Sequence, residues 1–328
     1  MALNGGACLQ LHWRPFVLAL PRPLRTARGT LTHKRGWLLR LHTAAGQLGW
    51  GEAAPLDLDT GSGSALAAAI TALGPSPGHA ELEDALAAGA LPGPLAFALG
   101  GALAEADGLL AAGWLPPPPS AQLLPAGAAA VASLEAALQQ GEAPTGASFK
   151  WKVAVHSDAD ERSVLELLLL RLPANARLRL DANGHWQRAT AEAWADRLAA
   201  ESRLQWLEQP LPPTDLAGLE ALAQRLPVAL DESLLHCPAL CRSWSGWQVR
   251  RPSQEGDPRP LLAALRAGHP RLMLSTAFET GIGRRWLHHM AALQALGPTP
   301  AAPGLAPGWQ PSGPLLATDP WQVWEAAP

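Results

Sequence analysis

Arg177-Leu178-Arg179-Leu180-Asp181-Ala182-Asn183 is a short run rich in leucine that stops on a carboxylate. The same event recurs twice downstream, where Trp206-Leu207 leads to Glu208-Gln209-Pro210 and Val228-Ala229-Leu230 leads to Asp231-Glu232-Ser233. Asp181 and Glu208 are 27 residues apart and Glu208 and Asp231 are 23 apart, close to one strand-plus-helix unit each. Working outward, residues 122–125, 148–155, 246–251 and 271–275 join 177–181, 204–208 and 228–231 as candidate strands. Residues 128–140, 159–170, 189–200, 216–226, 260–267 and 284–296 read as the helices between them. Strands alternating with helices are the signature of a parallel sheet. About seven strands in this length suit a barrel of the TIM type, and the pattern alone also admits a doubly wound open sheet. No glycine-rich phosphate loop follows any strand, so the usual support for a nucleotide-binding sheet is missing.

Upstream the pattern differs. Residues 9–20, 29–41 and 47–52 read as strands, followed by alanine- and leucine-rich helices over 65–73, 81–88 and 95–112, which together make an α+β unit. The four successive prolines Pro116 to Pro119 cannot continue a helix and read as an extended connection. The boundary is therefore expected at this point, dividing the chain into 1–115, 116–300 and a tail over 301–328.

The bulk numbers narrow the function. With 328 residues and 48% hydrophobic content the chain can bury a large core. A net charge of −3 offers no basic surface for nucleic acid or an anionic membrane, and a small neutral or acidic substrate fits better. Three cysteines, Cys8, Cys237 and Cys241, are too few for a disulfide framework, so a reducing cytoplasm is the expected location. His12, Arg14 and Pro15 interrupt the N-terminal stretch, which reads as neither a signal segment nor a membrane span.

Carboxylates that converge at strand ends repel one another unless a cation joins them, and in a barrel the C-terminal strand ends are where active sites lie. A single acid at a strand end is more often a helix cap or a surface charge; three in phase are not. Hard oxygen ligands with room for water and substrate suit Mg²⁺ better than zinc. One unit earlier stands Phe149-Lys150-Trp151-Lys152-Val153. Residues i and i+2 of a strand face the same side, so Lys150 and Lys152 are expected to point together into the barrel. Lysine occurs elsewhere only at Lys34, and the other 22 of the 25 basic residues are arginine. An amine that can lose its proton is what a base requires and arginine cannot supply. Two neighbouring ammonium groups near a divalent cation each disfavour the other's charge, which is expected to lower a lysine pKa toward the range of a general base. Such a base can remove a proton α to a carboxylate while the metal stabilises the charge that results.

Lys-x-Lys, Asp-Ala-Asn, Glu-Gln-Pro and Asp-Glu-Ser in this order resemble the enolase superfamily in its muconate-lactonizing subgroup. Within it, the likeness is nearest to the o-succinylbenzoate synthases. Pro23-Leu24-Arg25-Thr26-Ala27-Arg28-Gly29, Gly36-Trp37-Leu38-Leu39-Arg40-Leu41 and Gly49-Trp50-Gly51-Glu52-Ala53-Ala54-Pro55 resemble their capping domain, and Leu274-Ser275-Thr276-Ala277-Phe278-Glu279-Thr280 resembles their seventh-strand segment. The resemblance covers nearly the whole chain. It implies an α/β fold, a modified (β/α)7β TIM-type barrel with an N-terminal α+β capping domain. The tail over 301–328 is then a return segment packing toward the cap. It further implies Mg²⁺ on Asp181, Glu208 and Asp231, with Mn²⁺ able to take its place, and Lys152 as catalytic base beside Lys150. A small-molecule carboxylate would be received by Ser275, Thr276, Asn183, Arg25 and Arg28. The implied reaction is a syn elimination of water from a cyclohexadiene carboxylate, a step toward menaquinone or phylloquinone.

The chain departs from that family on the sixth strand, where Arg250-Arg251-Pro252 carries Arg251 in place of a lysine. Arginine stays protonated, so it can pair with a carboxylate or face a ring but cannot act as a second acid/base. A one-base elimination survives this change; a two-base racemisation, as in N-succinylamino acid racemases, does not. A muconate-type lyase and a non-catalytic ligand-binding barrel are the other readings. His185, His236, His288 and His289 are not at ligand spacing and read as surface or helix positions. Trp151 is expected to wall the barrel, and Gly304-Leu305 to lie near the site.

Overall fold

The structure, a computed structural model, describes residues 9–26, 29–56, 60–139 and 146–328, and of residues 24–26, 29, 60 and 61 the backbone alone. It opens with a three-stranded antiparallel sheet in the order β1 (Gln10–Thr26), β2 (Gly29–His42), β3 (Leu48–Ala53). β1 carries Pro15, Pro21 and Pro23, which remove ladder donors and are tolerated because it is an edge strand whose register shifts between Ala19 and Leu24. Helices α1 (Thr60–Leu73), α2 (His79–Ala87) and α3 (Gly93–Ala106) follow. The two glycines of β3 let α3 lie directly on the strand. A Cβ at Gly49 would stand 1.8 Å from the Ala102 carbonyl oxygen, and one at Gly51 would stand 2.2 Å from that of Ala98. The expected helix over 95–112 stops early, at Ala106, because Asp107 caps it and Gly108 turns the chain with φ +75.

The second unit is a curled seven-stranded parallel sheet, β4 to β10 in sequence order. Its elements are β4 (Gln122–Leu124), α4 (Ala129–Gln139), β5 (Ser148–Lys152), α5 (Asp158–Arg171), β6 (Arg177–Asp181), α6 (Arg188–Leu198), β7 (Leu204–Glu208) and α7 (Leu216–Ala223). Then come β8 (Val228–Leu230), the short helices α8 (Glu232–His236) and α9 (Leu240–Ser243), β9 (Trp247–Arg250), α10 (Pro252–Glu255), α11 (Pro258–Arg266), β10 (Leu272–Leu274) and α12 (Gly281–Ala295). The ring is completed by Pro303 and Gly304. Gly304 N–H donates to the Leu274 carbonyl (2.8 Å), Thr276 N–H donates to Gly304 (2.9 Å), and Ala121 N–H donates to Pro303 (2.9 Å). This bridge joins the last strand to the first and gives the (β/α)7β barrel, with Gly304 beside Ser275. The chain then returns to the first unit, where α13 (Pro320–Ala326) packs Val323 and Trp324 against Phe16, Leu38 and Trp50.

Alternate residues of the barrel strands serve different layers. Leu178, Leu180, Leu207 and Leu230 are buried under the helices, each removing apolar surface worth on the order of 2 kcal/mol from water. Trp151 faces the same helix layer and packs near Trp194, so it walls the barrel from outside. The expected strand over 148–155 ends at Lys152. The Glu161 carboxylate accepts the N–H groups of Ala154 (2.8 Å), Val155 (2.9 Å) and His156 (3.0 Å), and Ala154 adopts φ +61. Three backbone donors thus bond the N-terminal turn of α5 instead of a neighbouring strand. Among the described residues no helix is long and apolar enough to cross a membrane.

Candidate active site

The parallel register fixes the site before any side chain is considered. Lys152 pairs with Asp181, and Asp181 pairs with Glu208, so the last residues of β5, β6 and β7 stand side by side at the C-terminal ends of the strands. Asp231 follows the last residue of β8 on the next strand round. Lys150 lies one layer below. Its ammonium is 2.7 Å from Asp181 Oδ2 and 2.6 Å from Glu208 Oε1, and it is largely buried. Burial alone would lower its pKa, but Asp181, Glu208 and Asp231 outweigh that and raise it above the usual lysine value. The expected depression of a lysine pKa by its neighbour therefore does not apply to Lys150, whose nearest charges are carboxylates. Lys152 is half-buried, and its ammonium has no hydrogen bond or ion pair among the described residues.

Arg251 occupies the opposite flank. Nε donates to Asp231 Oδ1 at 2.8 Å, Nη2 to Oδ2 at 2.5 Å, and Nη1 to the Thr276 carbonyl at 2.8 Å. This is a two-pronged fork that lysine cannot reproduce. Burial works against both charges, yet Arg251 holds the Asp231 carboxyl below its usual range and is itself raised. Replacing Arg251 by methionine leaves Asp231 buried without its cation. Loss of one partner of a buried pair costs about 3–5 kcal/mol, and urea unfolding in EDTA should show a loss of that order. An unchanged midpoint would mean that the fork is not made in solution.

Sequence reasoning missed several residues that hold this arrangement. Gln209 lies in the left-handed region (φ 38) and its amide ties β7 to β8. The side-chain oxygen accepts Asp231 N–H (3.1 Å) and Ser233 N–H (3.0 Å), while the nitrogen donates to Ser233 Oγ (2.7 Å). The Trp206 indole donates to Glu208 Oε2 at 3.3 Å. Glu232, directly after Asp231, accepts from Asn183 Nδ2 at 3.0 Å, and its pKa is pushed up to about 8 by burial and then by Asp231 and Asp181. The adjacent Glu-Gln and Asp-Glu pairs were the available signal.

The expected substrate residues separate into groups. Ser275 is buried with no hydroxyl partner among the described residues, and a Cβ at Gly304 would stand 3.1 Å from its Oγ. The Thr276 hydroxyl is engaged, donating to Glu279 Oε2 at 2.7 Å. Asn183, with φ 45, uses its amide on Glu232 and its N–H on Asp181 Oδ1. Arg25 is described by its backbone alone, in register with Thr30, and Arg28 lies outside the described residues, as does Cys8. His185 is exposed with Nδ1 at the Ala182 carbonyl, His236 ends α8, and His288 and His289 lie on α12.

The donor set suits a hard divalent cation. Asp181, Glu208, Asp231 and Glu232 stand at one barrel end, among the described residues ion-paired only to Lys150 and Arg251, and burial with the neighbouring acids pushes the Glu208 carboxyl up. Glu232 Oε2 and Asn183 Oδ1 are buried without a hydrogen-bond partner among the described residues. Lys150 bridges Asp181 and Glu208, and Arg251 engages both oxygens of Asp231. The tighter cluster among the described residues is His79, Glu83 and Asp107, but both Glu83 oxygens accept from Arg259, which makes that group a charge network rather than a metal cradle.

Known proteins are similar to this chain in sequence and in fold. Residues 129–242 match the family described as enolase C-terminal domain-like. The o-succinylbenzoate synthase of Thermosynechococcus vestitus is 37% identical over 326 residues, covering 94% of this chain and 96% of that protein. That of Pectobacterium atrosepticum is 32% identical over 62% of this chain and 60% of its own length. The crystal structure of o-succinylbenzoate synthase from Thermosynechococcus elongatus, with magnesium in the active site, superposes with a TM-score of 0.79 at 33% identity, covering 97% of this chain and 99% of that one. With so much of both lengths shared at that identity, the chain belongs to the o-succinylbenzoate synthase family, lyases of the enolase superfamily.

Proposed function

We propose that the protein dehydrates 2-succinyl-6-hydroxy-2,4-cyclohexadiene-1-carboxylate to o-succinylbenzoate, on the path to menaquinone or phylloquinone, using Lys152 as its single base. The observation that supports this reading is Lys152 in register with Asp181, and Asp181 with Glu208, while the lysine one layer below, Lys150, is the one tied to both carboxylates among the described residues. Asp181, Glu208 and Asp231 would hold Mg²⁺, or Mn²⁺ in its place. When bound, the ion supplies positive charge against the negative charge that builds on the substrate carboxylate. Lys152 takes the proton α to that carboxylate. The C–H electrons form the new ring double bond, the C–O bond breaks, and the lysine proton returns to the leaving hydroxide on the same face, so water departs and the ring becomes aromatic. Lys150 offsets the repulsion between the two carboxylates and holds them in place. Ser275, whose hydroxyl has no partner among the described residues, receives the carboxylate; Thr276 and Asn183 shape the wall, and Arg25 and Arg28 contribute from the cap.

Arg251 favours elimination over racemisation, because a guanidinium fixed on Asp231 and Thr276 cannot return a proton to the opposite face. The free thiols Cys237 and Cys241 suit a cytoplasmic setting. The test is a spectroscopic assay of the cyclohexadiene substrate with Mg²⁺ and with EDTA. Aromatisation that requires the metal is the expected result. No turnover with Mg²⁺ bound would remove the dehydratase reading and bring N-succinylamino acids and muconate-type substrates forward.

A further inference from the structure

Lys34 is the one lysine that the barrel chemistry does not use. In a chain where 22 of 25 basic residues are arginine, it sits on β2 with no exposure at all, paired at 3.2 Å with Glu52 Oε1, itself fully buried on β3. The other oxygen of Glu52 crosses from the capping sheet to the barrel. It accepts Thr280 N–H (2.8 Å), Thr280 Oγ1–H (2.6 Å) and Gly283 N–H (3.2 Å), the free donors at the start of α12. A side chain at Gly283 would collide with that oxygen, its Cβ standing 2.7 Å away. Glu279, one residue before Thr280, is buried too. It accepts Ser253 Oγ–H (2.6 Å), Ala277 N–H (2.9 Å) and Thr276 Oγ1–H (2.7 Å). Burial would raise its pKa, but the charge of Lys34 helps to keep it lowered. From Thr276 the chain of contacts continues through its carbonyl to Arg251 and through Arg251 to Asp231.

We propose that Lys34, Glu52 and Glu279 form a buried ionic bracket by which the capping sheet sets the position of the 275–280 loop against Arg251 and Asp231, making them positioning residues for the substrate carboxylate. A compact ammonium pairs with Glu52 here and its charge also acts on Glu279, where a longer planar guanidinium would need more room. A buried ion pair adds little net stability over an apolar replacement, so fixing one arrangement is the better account of its presence. This inference rests on the proposed function for its substrate, but the bracket itself does not.

The test uses Lys34→Met and the milder Glu52→Gln in the full chain, with three readouts. Hydrogen exchange at the Thr280 and Gly283 amides should quicken in both variants. KM for the cyclohexadiene substrate should rise roughly tenfold or more while kcat stays within about threefold, since the loop receives substrate but carries no base. Mg²⁺ affinity by calorimetry should change little. Lys34→Met combined with Glu52→Gln, which balances the charge but leaves neither member of the pair, should keep the raised KM and the quickened exchange, and full recovery in the double variant would overturn the bracket. A lowered melting temperature with KM and exchange unchanged would overturn it, leaving a structural pair only. If Lys34→Met does not fold, an unchanged KM and unchanged exchange in Glu52→Gln overturns the proposal equally. If the wild type fails to turn over this substrate, the functional reading falls, and the exchange data alone decide the bracket.

Discussion

Replacing Lys152 by alanine should lower kcat on the order of 10³- to 10⁴-fold, the size expected when the proton-transferring group of a single-base reaction is removed. The neighbouring Lys150 cannot substitute. Asp181 and Glu208 hold its ammonium at 2.7 and 2.6 Å and keep it protonated, whereas Lys152 has no such partner among the described residues. For the same reason the variant should fold and bind Mg²⁺ as the wild type does, because Lys152 is half-buried and its removal breaks no ion pair. Kinetics at saturating substrate, set beside calorimetric titration with Mg²⁺, separates the two effects. Retention of more than about a tenth of the activity would assign the proton transfer to another group.

The barrel was legible because its strands are short and end on charge. Residues 177–181 and 204–208 were read with the bounds that they have, since leucine-rich runs broken by Asp-Ala-Asn and Glu-Gln-Pro leave little freedom at either end. Boundaries failed where one side chain decided them. Glu161 draws three backbone N–H groups away from the strand after Lys152, and nothing in residues 148–155 announces a carboxylate on the following helix. The barrel-closing bridge at Pro303 and Gly304 was invisible for a different reason: it is two residues long in a segment rich in alanine and proline. In the site, residue types and layers could be read from period-two geometry, but pairing could not. Which lysine meets the carboxylates, that the Arg251 fork spans both oxygens of Asp231, and that Thr276 spends its hydroxyl on Glu279 all depend on distances between strands far apart in sequence. Lys34 shows the limit most plainly, for its rarity was apparent and its partners were not.

Glu208→Gln should separate metal binding from folding more cleanly than any other change in the site. Glu208 has no solvent exposure, and burial together with Asp181 and Asp231 raises its pKa against the pull of Lys150. The amide is nearly the same shape, so its oxygen can still accept from Lys150 or from the Trp206 indole, and Lys150 keeps Asp181. Removing one of several crowded negative charges relieves repulsion, so in EDTA the variant should melt at or above the wild-type temperature. With metal the order reverses. A ligand at 100 times its Kd stabilises the folded state by about 2.7 kcal/mol, which the wild type should gain from Mg²⁺ and the variant should largely lose. Activity should fall with it, by two or more orders of magnitude at ordinary Mg²⁺ concentrations, because the charge that anchors the ion is gone. Thermal melts with EDTA and with a Mg²⁺ series measure this without reference to any substrate. A full Mg²⁺-dependent shift in Glu208→Gln would take Glu208 out of the metal site and leave Asp181, Asp231 and Glu232 as the carboxylates to test.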